Sequence, residues 1–324
     1  MHSYTIQVTP TATTLQPRDV PVPEPGPGQV LVRMRAAGLN RGEFIAAHGL
    51  HAPGAPKPAG NEGAGEIAKL GAGVTQLREG ERVMGRASGA FAEFALMDAR
   101  EAIAVPSNLS WEEAASVPLV FAVVHDMLIA HGHLASGEWL LVTGISSGVG
   151  VASLQTAKAL GARVIGTSGA EAKLQKLQSL GLDVGIRTRS GDFSGEVMRA
   201  TGGRGADLAV NTVGGSVFAE CIRSLAFEGR LAIVGYVDGV MKSEFDLDAA
   251  HSKRLTLFGV SNKLRNAEQR AATVRGLAAD LLPLIAGGRI RPVIDRVFPF
   301  DDLQTAKAYM ESNAHLGKIV VRMD

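Results

Sequence analysis

The sequence predicts an α/β protein in which a doubly wound parallel sheet is joined to a second, β-rich domain. Two observations carry this. Residues 138–167 read as strand, glycine-rich corner, helix and strand, and the alternation of apolar strand and helix continues to residue 260. Residues 4–105 instead form short alternating runs cut by Gly and Pro. At 324 residues the chain is long for one core, so two domains are expected.

In the first part, Val30-Leu-Val-Arg-Met-Arg-Ala, Gly65-Glu-Ile-Ala-Lys-Leu, Glu81-Arg-Val-Met and Phe91-Ala-Glu-Phe-Ala-Leu predict strands. Turns at Glu24-Pro-Gly-Pro-Gly28 and Arg78-Glu-Gly80 separate them, as in a compact barrel or sandwich. Near Ser107 the texture changes. Ser110-Trp-Glu-Glu113 reads as an N-cap with an acidic first turn and opens a helical bridge towards residue 134. Strands are then predicted at 138–143, 162–167, 184–187, 207–211, 230–235 and 255–260, with helices at 149–160, 170–180, 192–201 and 215–226. After Asn266 come a long helix, a strand around 291–298, a helix around 301–311 and a strand at 318–322. These last elements are too few to fold alone and are expected to rejoin the first domain. The expected domains are therefore 1–122 completed by 262–324, and 123–261.

Thirty-three basic and thirty-two acidic residues nearly cancel, and no basic block argues for nucleic acid or an anionic membrane. The 39 glycines imply many tight turns. Cys221 is the single cysteine, which rules out an intrachain disulfide and fits a reducing, cytoplasmic setting. The stretch Met1-His-Ser-Tyr-Thr-Ile-Gln-Val has neither the basic nor the apolar region of a secretory signal. The longest apolar run, 114–124, is too short to span a bilayer.

The chemistry centres on Thr143-Gly144-Ile-Ser-Ser-Gly148-Val-Gly150. A helix that starts at such a corner aims unpaired N–H groups at an anion, typically a dinucleotide pyrophosphate. The pattern also fits short-chain dehydrogenases, which need a downstream Tyr-x-x-x-Lys. Tyr4, Tyr236 and Tyr309 are followed four residues on by Val8, Val240 and Asn313, so that pair is missing.

The ordered set Gly38-Leu-Asn40-Arg-Gly-Glu43, Pro58-Ala-Gly60-Asn-Glu62-Gly-Ala-Gly65, Glu79-Gly-Glu-Arg-Val-Met-Gly85 and Ala114-Ala-Ser-Val-Pro118 carries a family resemblance. It continues through Ser146-Ser-Gly-Val-Gly150, Val213-Gly-Gly215, Gly229-Arg-Leu-Ala-Ile-Val-Gly235 and His315-Leu-Gly-Lys-Ile-Val320. The chain resembles, almost end to end, the medium-chain dehydrogenase/reductase superfamily in its zinc-free, zeta-crystallin-like quinone oxidoreductase branch. That implies a Rossmann domain, a GroES-like substrate domain and a homodimer joined through the Rossmann domains. Leu255-Thr-Leu-Phe-Gly-Val260 is the expected sheet edge for that pairing.

The resemblance also implies site residues. Zinc-dependent relatives carry Cys where this chain has Asn40 and His where it has Asn61, together with a four-cysteine cluster that Cys221 alone cannot supply. No metal is therefore expected, and His48 and His51 read as loop or pocket residues. The pyrophosphate belongs at Ser146, Ser147, Gly148, Val149 and Gly150. The second strand ends at Ser168 without the acid that selects NAD, and Lys173 matches a family lysine that meets the 2′-phosphate of NADP. Thr188 stands where the family often has tyrosine, flanked by Arg187 and Arg189, and either guanidinium suits phosphate. The nicotinamide is expected among Asn40, Val123, Gly235, Tyr236, Phe258, Gly259 and Val260. Asn40, Glu43 and Tyr236 are the catalytic candidates. A family tyrosine is replaced by Ile45, and a family Thr-Ala pair by Val123-Val124, followed by His125. NADP(H) is the expected cofactor and a quinone or α,β-unsaturated carbonyl the expected acceptor. The alternatives are an enoyl reductase on acyl or polyketide-like thioesters and a catalytically weak NADPH-binding redox sensor.

Overall fold

The structure is a computed structural model that describes residues 1–9, 12–44, 55–189 and 191–323. It divides into two compact units, Met1–Ala122 with Arg265–Asp324, and Val123–Leu264. In the first unit the chain forms β1 (His2–Val8), β2 (Thr13–Asp19), β3 (Gln29–Gly38), the short helix α1 (Arg41–Phe44), β4 (Lys57–Pro58), β5 (Glu62–Leu70), β6 (Arg82–Ser88) and β7 (Phe94–Ala104). β3 pairs with both β5 and β7, and β6 joins those two, so four strands close on themselves as a small barrel. Closure leaves fewer unpaired edges. Val30, Val32, Met34, Phe91 and Met97 pack inside it. β1 sits between β2 and β4 in a separate antiparallel sheet.

The bridge predicted over residues 110–134 is not one helix. α2 (Trp111–Ala115) carries the expected capping box, in which the Ser110 hydroxyl accepts from Glu113 N–H and the Glu113 carboxylate accepts from Ser110 N–H. It ends before Pro118, which has no N–H to continue a helix but suits the first position of a new one. That helix is α3 (Pro118–Val124), and it widens into a π-type turn at His125–Ala130.

The second unit contains β8 (Trp139–Val142), α4 (Gly148–Ala159), β9 (Arg163–Ser168), α5 (Glu171–Gln178), β10 (Val184–Arg187), α6 (Ser194–Ala200), β11 (Ala206–Asn211), α7 (Phe218–Ser224), β12 (Leu225–Ile233), α8 (Leu247–Ser252) and β13 (Thr256–Gly259). The strands are all parallel, in the order β10-β9-β8-β11-β12-β13. Helical crossovers cover the sheet, and the strands are accordingly apolar, with all four residues of β8 buried. Leu141, Ile165, Ile186, Ala209, Leu231 and Phe193 form the core.

Three expectations need correction here. The helix predicted at 215–226 is a 3₁₀ turn, Gly215–Val217, followed by α7. β12 starts at Leu225 rather than at residue 230, because a register shift opposite Ala206–Leu208 absorbs Glu228 at φ 58°. α8 was not anticipated; its start is capped by the Asp246 carboxylate, which accepts from Ala249 N–H at 2.9 Å.

The chain then forms α9 (Ala267–Asp280), α10 (Leu282–Ala286), β14 (Ile294–Pro299), α11 (Leu303–Glu311) and β15 (Lys318–Arg322). β14 begins later than the predicted residue 291, since Pro292 cannot donate to a ladder. β15 pairs antiparallel with β3 and parallel with β14, which extends the sheet of the first unit. Among the described residues no helix is long and apolar enough to cross a membrane.

Candidate active site

The carboxyl ends of the parallel strands build one polar cluster, within the second unit. β8 leads into a tight turn at Gly144, φ +64°, whose N–H reaches Thr167 Oγ1 at 3.3 Å. Ser147 caps α4, its hydroxyl accepting from Gly150 N–H at 3.1 Å. Ser146, Ser147, Gly148 and Val149 remain half-buried, so the first turn of α4 is accessible. N–H groups of a first turn have no carbonyl a turn earlier to bond. The corner therefore offers donors and a positive dipole end to an anion. Gly150 is required sterically, because a Cβ there would lie 2.5 Å from the Ile145 carbonyl oxygen.

β9 ends at Ser168, buried beside the turn into α5. Ser168 Oγ accepts from Ala170 N–H at 3.3 Å, and Lys173 stands half-buried in the first turn of α5. The two flanking arginines are placed differently. Arg187 is the last residue of β10, in register with Ser168 and exposed. Arg189 crosses back to the β9–α5 turn, where its Nε donates to the Gly169 carbonyl at 3.3 Å. A Cβ on Gly169 would sit 3.0 Å from Arg189 Cγ, so the glycine makes room for that side chain.

Between β8 and β11 the strand order reverses, the position where doubly wound sheets bind ligands. Thr143, Asn211 and Thr212 knit that point together. Thr212 Oγ1 donates to the Thr143 carbonyl at 2.7 Å, and Asn211 Oδ1 accepts from Gly214 N–H at 2.9 Å. Sequence reasoning found Thr143 in the glycine-rich motif but missed Asn211 and Thr212, although polar side chains at the end of an apolar strand were a usable signal. Gly235 and Tyr236 follow β12 at the same edge, and Val260 follows β13, its N–H bonded to the Ile233 carbonyl at 2.9 Å. Phe258 and Gly259 close β13, and the Phe258 ring lies 5.8 Å from that of His131. Val123 is half-buried on α3, and His125 is buried in the turn that follows.

The first unit holds the other polar cluster. Asn40 follows β3, and Glu43 lies in α1 with its N–H bonded to the Asn40 carbonyl at 3.0 Å. Asn40 Nδ2 donates to Glu62 Oε1 at 2.8 Å. Lys318 Nζ donates to that same carboxylate oxygen at 2.7 Å, to Asn40 Oδ1 at 3.0 Å and to the Leu39 carbonyl at 2.8 Å. Glu62 Oε2 accepts from Leu119 N–H at 2.8 Å. Glu62 and Lys318 are buried and were not identified as site residues from sequence. Each opens a strand, Glu62 that of β5 and Lys318 that of β15, where a charge gives no local sign of burial.

Glu43 is also buried, with Oε1 accepting from Gly60 N–H at 2.6 Å and, among the described residues, no hydrogen bond to Oε2. Burial pushes its carboxyl from the usual 4.5 up to about 7, against the Gly60 N–H, the nearby Asn61 amide and the Lys318 charge. Its geometry ties α1 to the Gly60–Asn61 turn. Ile45, His48 and His51 lie outside the described residues. Among the described residues no cluster of His, Cys, Asp or Glu is arranged to hold a metal. Cys221 is buried, which pushes its thiol up to about 12 and leaves it inert.

A glycine-cornered, doubly wound sheet and a closed β-barrel in one chain define an oxidoreductase architecture. Residues 26–107 match the family model for an alcohol dehydrogenase GroES-like domain, and residues 148–274 match that for a zinc-binding dehydrogenase. The chain belongs to the medium-chain dehydrogenase/reductase superfamily. Mycobacterial Rv1454c, solved in complex with NADPH, is 28% identical and matches all of both chains with a TM-score of 0.89. The CurK enoyl reductase is 25% identical, with a TM-score of 0.84 over 99% of both chains. Polyketide synthase GfsB of Streptomyces halstedii is 41% identical over 156 residues, which cover 48% of this chain and 3% of the synthase. The chain thus spans only a small fraction of the polyketide synthases it matches.

Proposed function

We propose that this protein is a zinc-independent reductase that passes a hydride from NADPH to a quinone or another α,β-unsaturated carbonyl. The Asn40 cluster supports this reading best. Two amides, Asn40 and Asn61, stand where zinc-dependent relatives carry Cys and His, and the Asn40 amide is engaged with the Glu62 carboxylate instead. An isolated ketone needs its oxygen strongly polarised as charge develops. A conjugated acceptor spreads that charge and tolerates a neutral amide donor. NADPH, when bound, supplies the hydride.

The residues present suit that cofactor. The first turn of α4, from Ser147 to Gly150 with Ser146 before it, holds the pyrophosphate. Ser168, Lys173 and Arg189 meet the 2′-phosphate, with the exposed Arg187 adding charge. Val123, Gly235, Tyr236, Phe258, Gly259 and Val260 border the nicotinamide. Glu43 holds the loop that carries Asn40.

Steady-state assays of the purified protein test the reading. NADPH-dependent turnover is expected with quinones and enones, almost none with simple secondary alcohols, and no stoichiometric zinc. Robust alcohol oxidation, or one zinc per chain, would overturn it. A second reading, an enoyl reductase acting on acyl thioesters, is favoured by the likeness to GfsB and CurK. A kcat/KM for an enoyl-pantetheine thioester more than tenfold above that for any quinone would select it.

Cofactor preference has its own test. A charge-assisted contact is worth about 1.5–3 kcal/mol. Lys173→Ala and Arg189→Ala should each weaken NADPH roughly tenfold or more and leave NADH nearly unchanged. Arg187→Ala should do less, because Arg187 does not return to the β9–α5 turn. Equal dissociation constants for the two cofactors in the unmodified protein would rule out the 2′-phosphate assignment.

The edge strand β13 supports a homodimer. In the described residues it pairs only with β12, and a free parallel edge favours isologous pairing with a copy of itself. Light scattering is expected to report twice the chain mass of 33.8 kDa. A monomer across micromolar concentrations would exclude the dimer.

A further inference from the structure

We propose that Lys318 is a positioning residue for hydride acceptance. It fixes the Asn40 amide in one orientation and cancels the Glu62 charge behind it, so that an Asn40 N–H can face the acceptor's developing oxyanion. The proposal rests on the reading of Asn40 as the acceptor contact. An ammonium can only donate and a carboxylate only accept. Lys318 on Oδ1 and Glu62 on Nδ2 therefore exclude the flipped amide. One Nδ2 hydrogen goes to Glu62. Among the described residues the other meets only the Gly38 carbonyl, at 3.4 Å, beyond the usual hydrogen-bond range, and it is available to a ligand oxygen.

The charge balance matters as much as the geometry. Glu62 is fully buried and sits one hydrogen bond behind the donor. Unopposed, that carboxylate would repel negative charge growing on the acceptor, and little solvent would screen it. Lys318 places a cation 2.7 Å from the same oxygen, also buried. The ion pair joins β15, β5 and the end of β3, with Leu119 N–H of α3 on the other carboxylate oxygen. Asn40 is thus held by rigid elements rather than by its own loop.

The test compares Lys318→Met, Lys318→Arg, the double variant Lys318→Met/Glu62→Gln, and Asn40→Ala with the unmodified full chain. Quinone reduction is followed with NADPH and with its 4-deuterated form, and melting is recorded for each variant. Lys318→Met is expected to lower kcat at least 30-fold, keep the NADPH KM within threefold, and raise the deuterium isotope effect on kcat. Lys318→Arg should recover much of the rate. The double variant should be faster than Lys318→Met, because it removes the uncompensated carboxylate. It also remains informative if the single variant folds poorly from burying an unpaired charge.

A merely structural role predicts otherwise: rates would fall only in proportion to the folded fraction, with no change in the isotope effect. That result, or a double variant as fast as the unmodified protein, overturns the proposal. If Asn40→Ala slows turnover and the Lys318 variants do not, this inference alone fails. If Asn40→Ala leaves kcat unchanged, the acceptor assignment of Asn40 fails with it.

Discussion

Gly150→Ala is expected to cost about 3 kcal/mol of stability, the upper end for overpacking, and to weaken NADPH binding at least tenfold. The added Cβ would lie 2.5 Å from the Ile145 carbonyl oxygen and 2.6 Å from its carbonyl carbon and Cα. All three are backbone atoms of the turn that enters α4, so no side-chain rotation relieves the clash. The other face of Ile145 is closed as well, since its Cδ1 lies 2.5 Å from where a Cβ on Gly166 would be. The start of α4 must then swing away from β8, and the corner that receives the pyrophosphate opens. Gly195→Ala is the control, because an added Cβ there meets nothing within 4 Å. In the helix α6 it should be neutral or stabilising by up to about 1 kcal/mol. Melting and NADPH fluorescence titration read both effects. Unchanged melting and affinity in Gly150→Ala would refute the packing argument.

The second large effect is a pH dependence centred on Glu43. Its carboxyl titrates at about 7 in the folded protein and at 4.5 when unfolded. Below pH 4.5 both states hold the proton, and Glu43 adds no slope. Between pH 4.5 and about 7 the folded protein keeps a proton that the unfolded chain has released, so stability falls as pH rises. The loss is complete above about 7 and amounts to about 3 kcal/mol. Glu220 acts in a different window. Burial works against its ionisation, but the Phe193 and Ser194 N–H groups and the Arg223 guanidinium hold it at about 2, so its contribution is lost only as pH falls below 4.5. Urea unfolding of the protein and of Glu43→Gln between pH 5 and pH 8 isolates the Glu43 component. The glutamine variant should gain on the unmodified protein as pH rises, by about 3 kcal/mol across the window. Parallel stability curves would show that Glu43 is not held as a buried acid.

The parallel sheet was legible because each of its strands is a short apolar run bounded by Gly or by a helix start. β15 was read to the residue for the same reason. Element ends failed where local signals conflicted with pairing. Phe227-Glu-Gly229 looks like a turn, yet a register shift draws Leu225–Ile233 into one strand. The 110–134 bridge looked continuous because a capped acidic first turn leads into the apolar run 114–124, and Pro118 divided it. The glycine-rich corner stood out because phosphate recognition uses local backbone, and Lys173 because it matches a lysine of the family the chain resembles. Glu62 and Lys318 did not, because a buried charge acquires meaning only from its partner.

The amino-acid sequence by itself determined the strand order of the parallel sheet along the chain, the phosphate-binding corner and the absence of an acidic residue at the end of β9. Each of these follows from a short contiguous pattern whose physics is local. Only the tertiary structure decided that Lys318 meets Glu62 and Asn40, that Arg189 rather than Arg187 returns to the β9–α5 turn, and that Glu43 is buried against Gly60. These contacts join residues between 17 and 278 positions apart. Hydrogen bonds and desolvation act through space, so their strength depends on distances that closing the barrel and stacking the parallel strands create.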